Sequence, residues 1–275
     1  MPGGDDLEVR ARRALLDAID ALGSHQDAVV LVGAQAIYLH TGEAPVALAP
    51  FTKDADLALD VRELGDDPLI EDAMTGAGLV LDPDARQPGT WLSRDGVPVD
   101  LLIPEALSRP GGRRGGRIPP HARTATRRVA GMEAAVVDRR PMTLRSFDPG
   151  DKRAFTVSVA GPAGLLVSKL HKVGERQATP NRLIDKDAHD VHRLLVAVPT
   201  ATFAERLDLL RRDDLAGAAT TAAIHLLDGL FGEPGAIGAV MAGRAEVAVG
   251  SPDVVAASTA ALAGDLIAAL SRVWQ

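Results

Sequence analysis

The chain predicts an α/β N-terminal part over residues 1–160 and an all-helical C-terminal part over 161–275. Short apolar runs with period-two alternation, separated by glycine turns, recur up to about residue 160. From Gly161 onward, apolar residues recur instead at three- and four-residue spacing. With 275 residues, 46% of them hydrophobic, the chain can fill one sizeable core or two modest ones. No fixed-period repeat is visible.

Leu7 to Leu22 reads as an amphipathic helix, with Leu15, Ile19 and Leu22 at helical spacing and Gly23 as a stop. Ala28–Val32 is a buried strand, Gly33 turns the chain, and Ala34–His40 starts a helix. Ala55–Val61 alternates with period two. That register puts Asp54, Asp56, Ala58 and Asp60 on one face and Leu57, Leu59 and Val61 on the other. Pro68–Ala77 reads as a short helix and Gly78–Asp82 as a strand. Gly89–Pro104 reads as a hairpin around Asp95-Gly96, with Asp100 in its second arm. Ala134–Val137, Met142–Arg145 and Phe155–Val159 are strand-like. Helices follow over 162–176, 184–198, 201–212, 218–231 and about 254–273.

Composition excludes several classes. The absence of cysteine removes disulfides, thiolate metal sites and a cysteine nucleophile. The first residues, MPGGDDLEVRARR, are charged and lack an apolar signal core, and the apolar segments read as interrupted by charge before membrane-spanning length. The expectation is a cytoplasmic protein with no membrane partner. A net charge of -7 argues against a generally basic nucleic-acid binder. Yet Arg109, Arg113, Arg114, Arg117, Arg123, Arg127 and Arg128 fall in one Gly/Pro-rich stretch with no acid among them. This stretch is either a phosphate-binding patch or a solvated, mobile loop. GGRRGGR within it is no P-loop, since it lacks G-K-[ST]. His171, His189 and His192 read as solvated or core-edge side chains rather than a zinc site.

Asp54 and Asp56 stand on one strand face, their side chains roughly 6–7 Å apart. Asp100 lies on a strand that can pair beside them. Three convergent carboxylates suit magnesium, and two such ions can hold a triphosphate and activate a hydroxyl. The alternative is a row of exposed acids on the polar face of an amphipathic strand. Further on, Lys169, Lys172 and Arg176 share a helix stripe. Asp187 falls on the inward face of the next helix, with Asp190 at its edge. Lys169 either forms a structural salt bridge with Asp187 or reaches a nucleotide phosphate, oriented by Asp187 or Asp190.

The order of strand, glycine turn, helix, D-x-D strand and further Asp-bearing strand resembles the nucleotidyltransferase superfamily, the DNA polymerase β-like fold. The resemblance implies a mixed sheet and NTP as substrate. It also implies metal binding by Asp54 and Asp56, with Asp100 as third ligand or as base towards the acceptor hydroxyl. Many members carry Gly-Ser in the turn. Here the turn is Gly33-Ala34-Gln35-Ala36, so Gln35 or backbone N–H groups would stand in for the hydroxyl, and Lys53 adjoins the D-x-D. SKLHKVGER and NRLIDKDAHDVHRLL are similar to the second motif region of the AbiEii/AbiGii group, including the MenT-type toxins. That likeness implies a toxin of a toxin–antitoxin system with a cognate antitoxin, modifying tRNA. The arginine stretch from Arg109 to Arg128 would then hold the tRNA backbone. A small hydroxylated acceptor, or a binding module without transfer activity, are the other readings of the same fold.

Overall fold

The computed structural model describes residues 4–42, 46, 54–110, 114–177, 184–247 and 250–273; Lys53 and Arg113 therefore lie outside the described residues. These residues form an N-terminal mixed α/β domain followed by a largely helical C-terminal region. By packing, the chain divides into two compact units. The first comprises Met1–Ala36, Pro50–Met132 and Arg139–Ala160, and the second Ile37–Ala49, Glu133–Asp138 and Gly161–Gln275.

Within the first unit, α1 (Gly4–Ala21) and a 3-10 turn (Gly23–Ala28) lead into β1 (Val29–Val32), whose four residues are all buried. Helix α2 (Gly33–Thr41) begins directly at the strand's end. Then come β2 (Ala55–Leu59), α3 (Ile70–Gly76), β3 (Val80–Leu81), β4 (Thr90–Leu92), β5 (Pro98–Pro104) and β6 (Arg127–Val129). A short helix, α4 (Met132–Val137), which from Glu133 on belongs to the second unit, precedes β7 (Arg139–Arg145) and β8 (Ala154–Ala160) of the first. Among the described residues, the eight strands form one sheet in the order β3-β4-β5-β2-β1-β8-β7, with β6 also paired to β5. It is mixed: β1 runs antiparallel to β2 and parallel to β8, while β2 and β5 are parallel. Val and Leu fill β1 because both its faces are covered, as central strands require.

Asp60, on the polar register of the D-x-D strand, is fully buried. Two guanidinium groups make this tolerable. Arg62 donates from Nε to Oδ1 and from Nη2 to Oδ2, both at 2.8 Å, and Arg139 approaches Oδ2 at 3.3 Å. Burial pushes the Asp60 carboxyl up, but hydrogen bonds and charge from Arg62, with charge from Arg139, hold it below its ordinary value.

The helical unit contains α5 (Pro162–Gln177), α6 (Asp185–Ala197), α7 (Thr200–Arg211), α8 (Gly217–Phe231), α9 (Ile237–Ala245) and α10 (Pro252–Val273). Helix α6 packs on α5, α9 and α10, which brings His189 Nε2 to 2.7 Å from Glu246 Oε1 and His192 Nδ1 to 2.8 Å from Thr259 Oγ1.

Several expectations require correction. Ala134–Val137 belongs to α4, not to a strand; a four-residue apolar run carries no period, and packing decides its state. There Gly164 of α5 lies so close that an added Cβ would fall 2.7 Å from the Ala134 carbonyl oxygen. The strand expected over Gly78–Asp82 shrinks to Val80–Leu81. Helix α9 was not foreseen, because its Gly and Ala residues blur the periodicity. Helix α10 is long and apolar enough, by length and composition, to cross a membrane, contrary to the expectation that charge interrupts every such run. Its Val255, Thr259, Leu266 and Leu270 are buried in the helical unit.

His192 yields a pH dependence. Burial and the neighbouring His189 lower its pKa from 6.5 to about 4, opposed by Glu246 and assisted by Arg193. The folded state thus prefers the neutral ring. Its contribution to stability is complete above pH 6.5 and is lost as pH falls through about 4. Urea unfolding at pH 7 and pH 4.5 should show that loss, on the order of 3 kcal/mol at most. His192→Gln should flatten the slope within this window.

Candidate active site

The carboxylates singled out by spacing lie near the starts of two neighbouring interior strands, β2 and β5, in the first unit. Asp56 and Asp100 are register partners on the parallel strands β2 and β5, so their side chains leave the same face. Asp54 precedes Asp56 by two residues, just before β2 begins, and is exposed. The antiparallel pairing of β1 with β2 sets Val32 opposite Asp56, which brings Gly33 beside the carboxylate.

Gly33 is required there twice over. Its φ of 69° lies in the left-handed region, and a Cβ would fall 2.1 Å from Asp56 Oδ2. Any side chain would displace the carboxylate. Gly33 is also the first residue of α2, so Asp56 sits against a helix start, whose N–H groups and dipole favour negative charge.

Gln35 is buried and faces inward. Its Oε1 accepts from Arg12 Nε at 3.0 Å, and its Nε2 donates to the Asp54 carbonyl at 3.4 Å. It therefore braces the D-x-D backbone against α1. Ala34, beside it, is buried. Arg12 was missed by sequence reading: nothing in VRARRALL distinguishes a buried arginine from its exposed neighbours. Burial lowers its pKa against the pull of Glu8, and its guanidinium lies 4.2 Å from the centre of the Phe147 ring.

Asp100 is engaged on both oxygens. Thr90 Oγ1 donates to Oδ1 at 2.6 Å, and Arg127 Nη2 donates to Oδ2. Arg127 comes from the arginine-rich stretch, whose described residues from Arg114 on are docked against the sheet. Gly116 N donates to Thr126 O at 3.0 Å, Arg128 N to Arg114 O at 2.9 Å, and Trp91 Nε1 to Ala125 O at 3.0 Å. Arg128 lies 3.6 Å from Glu105, while Arg109, Arg114 and Arg123 remain exposed.

The carboxylates of Asp54, Asp56 and Asp100 fit a hard divalent cation in donor type, and Asp56 and Asp100 share a face. Yet among the described residues no three His, Asp or Glu side chains are grouped so as to hold an ion. A cavity of about 370 Å³ in the same unit, lined by Gln26, Asp27, Glu63, Arg139, Thr156 and Ser158 among others, lies elsewhere. Ser158 pairs with Val30, towards the end of β1 away from Gly33.

In the helical unit, Lys169, Lys172, Arg176, Asp187 and Asp190 do come together. Lys169 is buried, with Nζ 2.9 Å from Asp187 Oδ1 and 2.7 Å from Asp190 Oδ2. Lys172 stands 3.1 Å from Asp187 Oδ1 and is 41% exposed, and Arg176 lies 2.5 Å from Asp187 Oδ2. Burial opposes the Lys169 ammonium, but the charges of Asp187 and Asp190 prevail and raise its pKa far above the usual value. Burial likewise pushes Asp187 up, and Lys169, Lys172 and Arg176 overcome it, holding the carboxyl well below its ordinary range. The salt bridge inferred from spacing is thus present. Lys172 is the cation of the group that faces solvent.

Two outcomes follow from these geometries. Lys169→Met leaves Asp187 and Asp190 buried without their shared ammonium. It should cost about 3–5 kcal/mol in urea unfolding, well beyond the effect of Lys172→Met. Gly33→Ala should cost at least about 1–2 kcal/mol for the left-handed backbone alone, read as a lowered unfolding midpoint.

Comparison with known proteins finds no match: no family model, no curated protein and no solved structure corresponds to this chain.

Proposed function

We propose that the protein is a magnesium-dependent nucleotidyltransferase that moves a nucleoside monophosphate from an NTP to an acceptor hydroxyl, with tRNA as the acceptor. One observation carries the reading. Asp56 and Asp100 stand in register on adjacent parallel strands, and a glycine with φ of 69° presses against Asp56 at the start of a helix. An amphipathic strand with an incidental acidic face needs neither the register nor the glycine.

In this reading the acceptor oxygen attacks the α-phosphorus of the triphosphate, the bond to the β-phosphate bridging oxygen breaks, and pyrophosphate leaves. Magnesium, when held by Asp54 and Asp56, supplies positive charge to the phosphates. Gly33 leaves room for backbone N–H groups of α2 to approach them. Gln35 keeps the D-x-D backbone in place. Asp100 accepts the acceptor's proton. The exposed Arg109, Arg114 and Arg123 give a cationic surface for an RNA backbone. In the helical unit Lys169 holds Asp187 and Asp190, and Lys172 presents charge outward. A toxin role with a cognate antitoxin, in the cytoplasm, accords with this chemistry.

A binding module without transfer activity is the second reading. The engagement of both Asp100 oxygens by Thr90 and Arg127 favours it.

The test is to incubate the protein with total RNA and each labelled NTP in turn. One nucleotide should transfer with magnesium, and Asp56→Ala should abolish transfer, by at least about a thousandfold. Wild-type activity in Asp56→Ala, or no label on RNA with any NTP, would refute the proposal. Label moving to a small molecule instead of RNA would refute the acceptor assignment.

A further inference from the structure

We propose that the cavity between the 3-10 turn, the chain after β2 and strands β7 and β8 is a binding site for a small zwitterion, a free α-amino acid. All of its lining lies in the first unit, and the proposal does not rest on the transferase reading of Asp56 and Asp100.

The cavity measures about 370 Å³, at the lower end of the roughly 300–1,000 Å³ found for small-molecule sites. Its floor is sheet. Thr156 and Ser158 stand two residues apart on β8, so both leave one face. Arg139 enters from β7. One wall is the 3-10 turn, with Gln26 and Asp27, and the other carries Glu63. The walls are fastened to each other. His25, buried in the turn, donates from Nε2 to the Pro68 carbonyl at 2.8 Å. Asp60 N donates to the Ala28 carbonyl, also at 2.8 Å.

Arg139 is the surplus cation of this region. Arg62 already donates to both oxygens of Asp60, each at 2.8 Å. Arg139 is therefore a second positive charge on a carboxylate held in a fork, and its own approach is longer, at 3.3 Å. Its Nη1 is buried and has no hydrogen-bond partner. A guanidinium carries five donors, and leaving them unmet away from water is costly. At 23% exposure the side chain still borders the cavity.

The rim has the opposite sign. Asp27 and Glu63 are exposed, and among the described residues neither pairs with a cation. The hydroxyls of Thr156 and Ser158 likewise make no hydrogen bond among the described residues. Gln26 Nε2 is turned to the Thr156 carbonyl, at 3.4 Å, which leaves Oε1 as an acceptor.

These signs select the ligand. An anion such as phosphate suits Arg139 but meets two carboxylates. A polyamine suits the carboxylates but leaves Arg139 unmet and repelled. A molecule with one carboxylate and one ammonium answers both. Its carboxylate accepts from Arg139 and the two hydroxyls, and its ammonium donates to Asp27, Glu63 and Gln26 Oε1.

The experiment is saturation-transfer NMR on the full chain, without NTP or magnesium, with each of the twenty L-amino acids in turn. At least one should bind. Its N-acetyl and carboxamide derivatives, which each lack one charge, should bind at least about tenfold more weakly. Asp27→Asn combined with Glu63→Gln removes the rim charge and breaks no ion pair, so the fold is kept. That variant should bind the amino acid about tenfold more weakly. Binding of none of the twenty overturns the proposal. So does an affinity that the double variant leaves within about twofold, since the amino acid then sits elsewhere. Inorganic phosphate or spermidine displacing the amino acid at equal concentration overturns the zwitterion assignment. The transferase reading stands or falls separately, on label transfer.

Discussion

Buried carboxylates govern this protein, and the chain's own cations make them possible. Taking an acid out of water costs several kcal/mol unless a partner charge and hydrogen bonds replace its hydration. Asp60 is met by Arg62 and Arg139 and Asp138 by Arg206, while the part-buried Asp100 is met by Arg127 with Thr90. Asp187 and Asp190 share Lys169. In each unit these pairs join elements distant in sequence, so the pairing also selects how strands and helices are placed. Asp60 joins β7 to the loop after β2, and Lys169 joins α5 to α6.

The second constraint is steric. β1, Gly33 and β2 form one device, because the left-handed glycine lets the chain turn from strand to helix with the Asp56 carboxylate lying against it. The sheet then extends the acidic face to Asp100 through parallel pairing of β2 and β5. Phosphate chemistry at such strand ends would draw on the helix start, the carboxylates and the glycine together. Separately, none of the three specifies an activity.

Much of this was legible in the residues. The strand carrying Asp100 was expected to pair beside that of Asp56 and does, and helical spacing put Lys169, Lys172 and Arg176 on one stripe facing Asp187. Local periodicity carries such information because backbone geometry fixes where successive side chains point. The role of Arg127 was not legible. Seven arginines within twenty residues look alike in sequence, and only the pairing of β6 with β5 distinguishes the one that reaches Asp100. Gln35 looked like a stand-in for a phosphate-binding hydroxyl, but packing turned it towards Arg12 and the Asp54 backbone. Asp60 shares its register face with Asp54 and Asp56, and only packing shows that it is fully buried.

By itself the sequence determined the division into a sheet-bearing part and a helical part, the positions of most strands and helices, and the faces on which the acids and lysines lie. These follow from spacing alone, since helix and strand repeat at different periods. Only the tertiary structure decided which cation meets which carboxylate, that Ala134–Val137 is helical, and that the arginine-bearing segment from Arg114 on is docked rather than loose. Those outcomes depend on contacts between residues far apart in the chain, where desolvation and packing outweigh local preference.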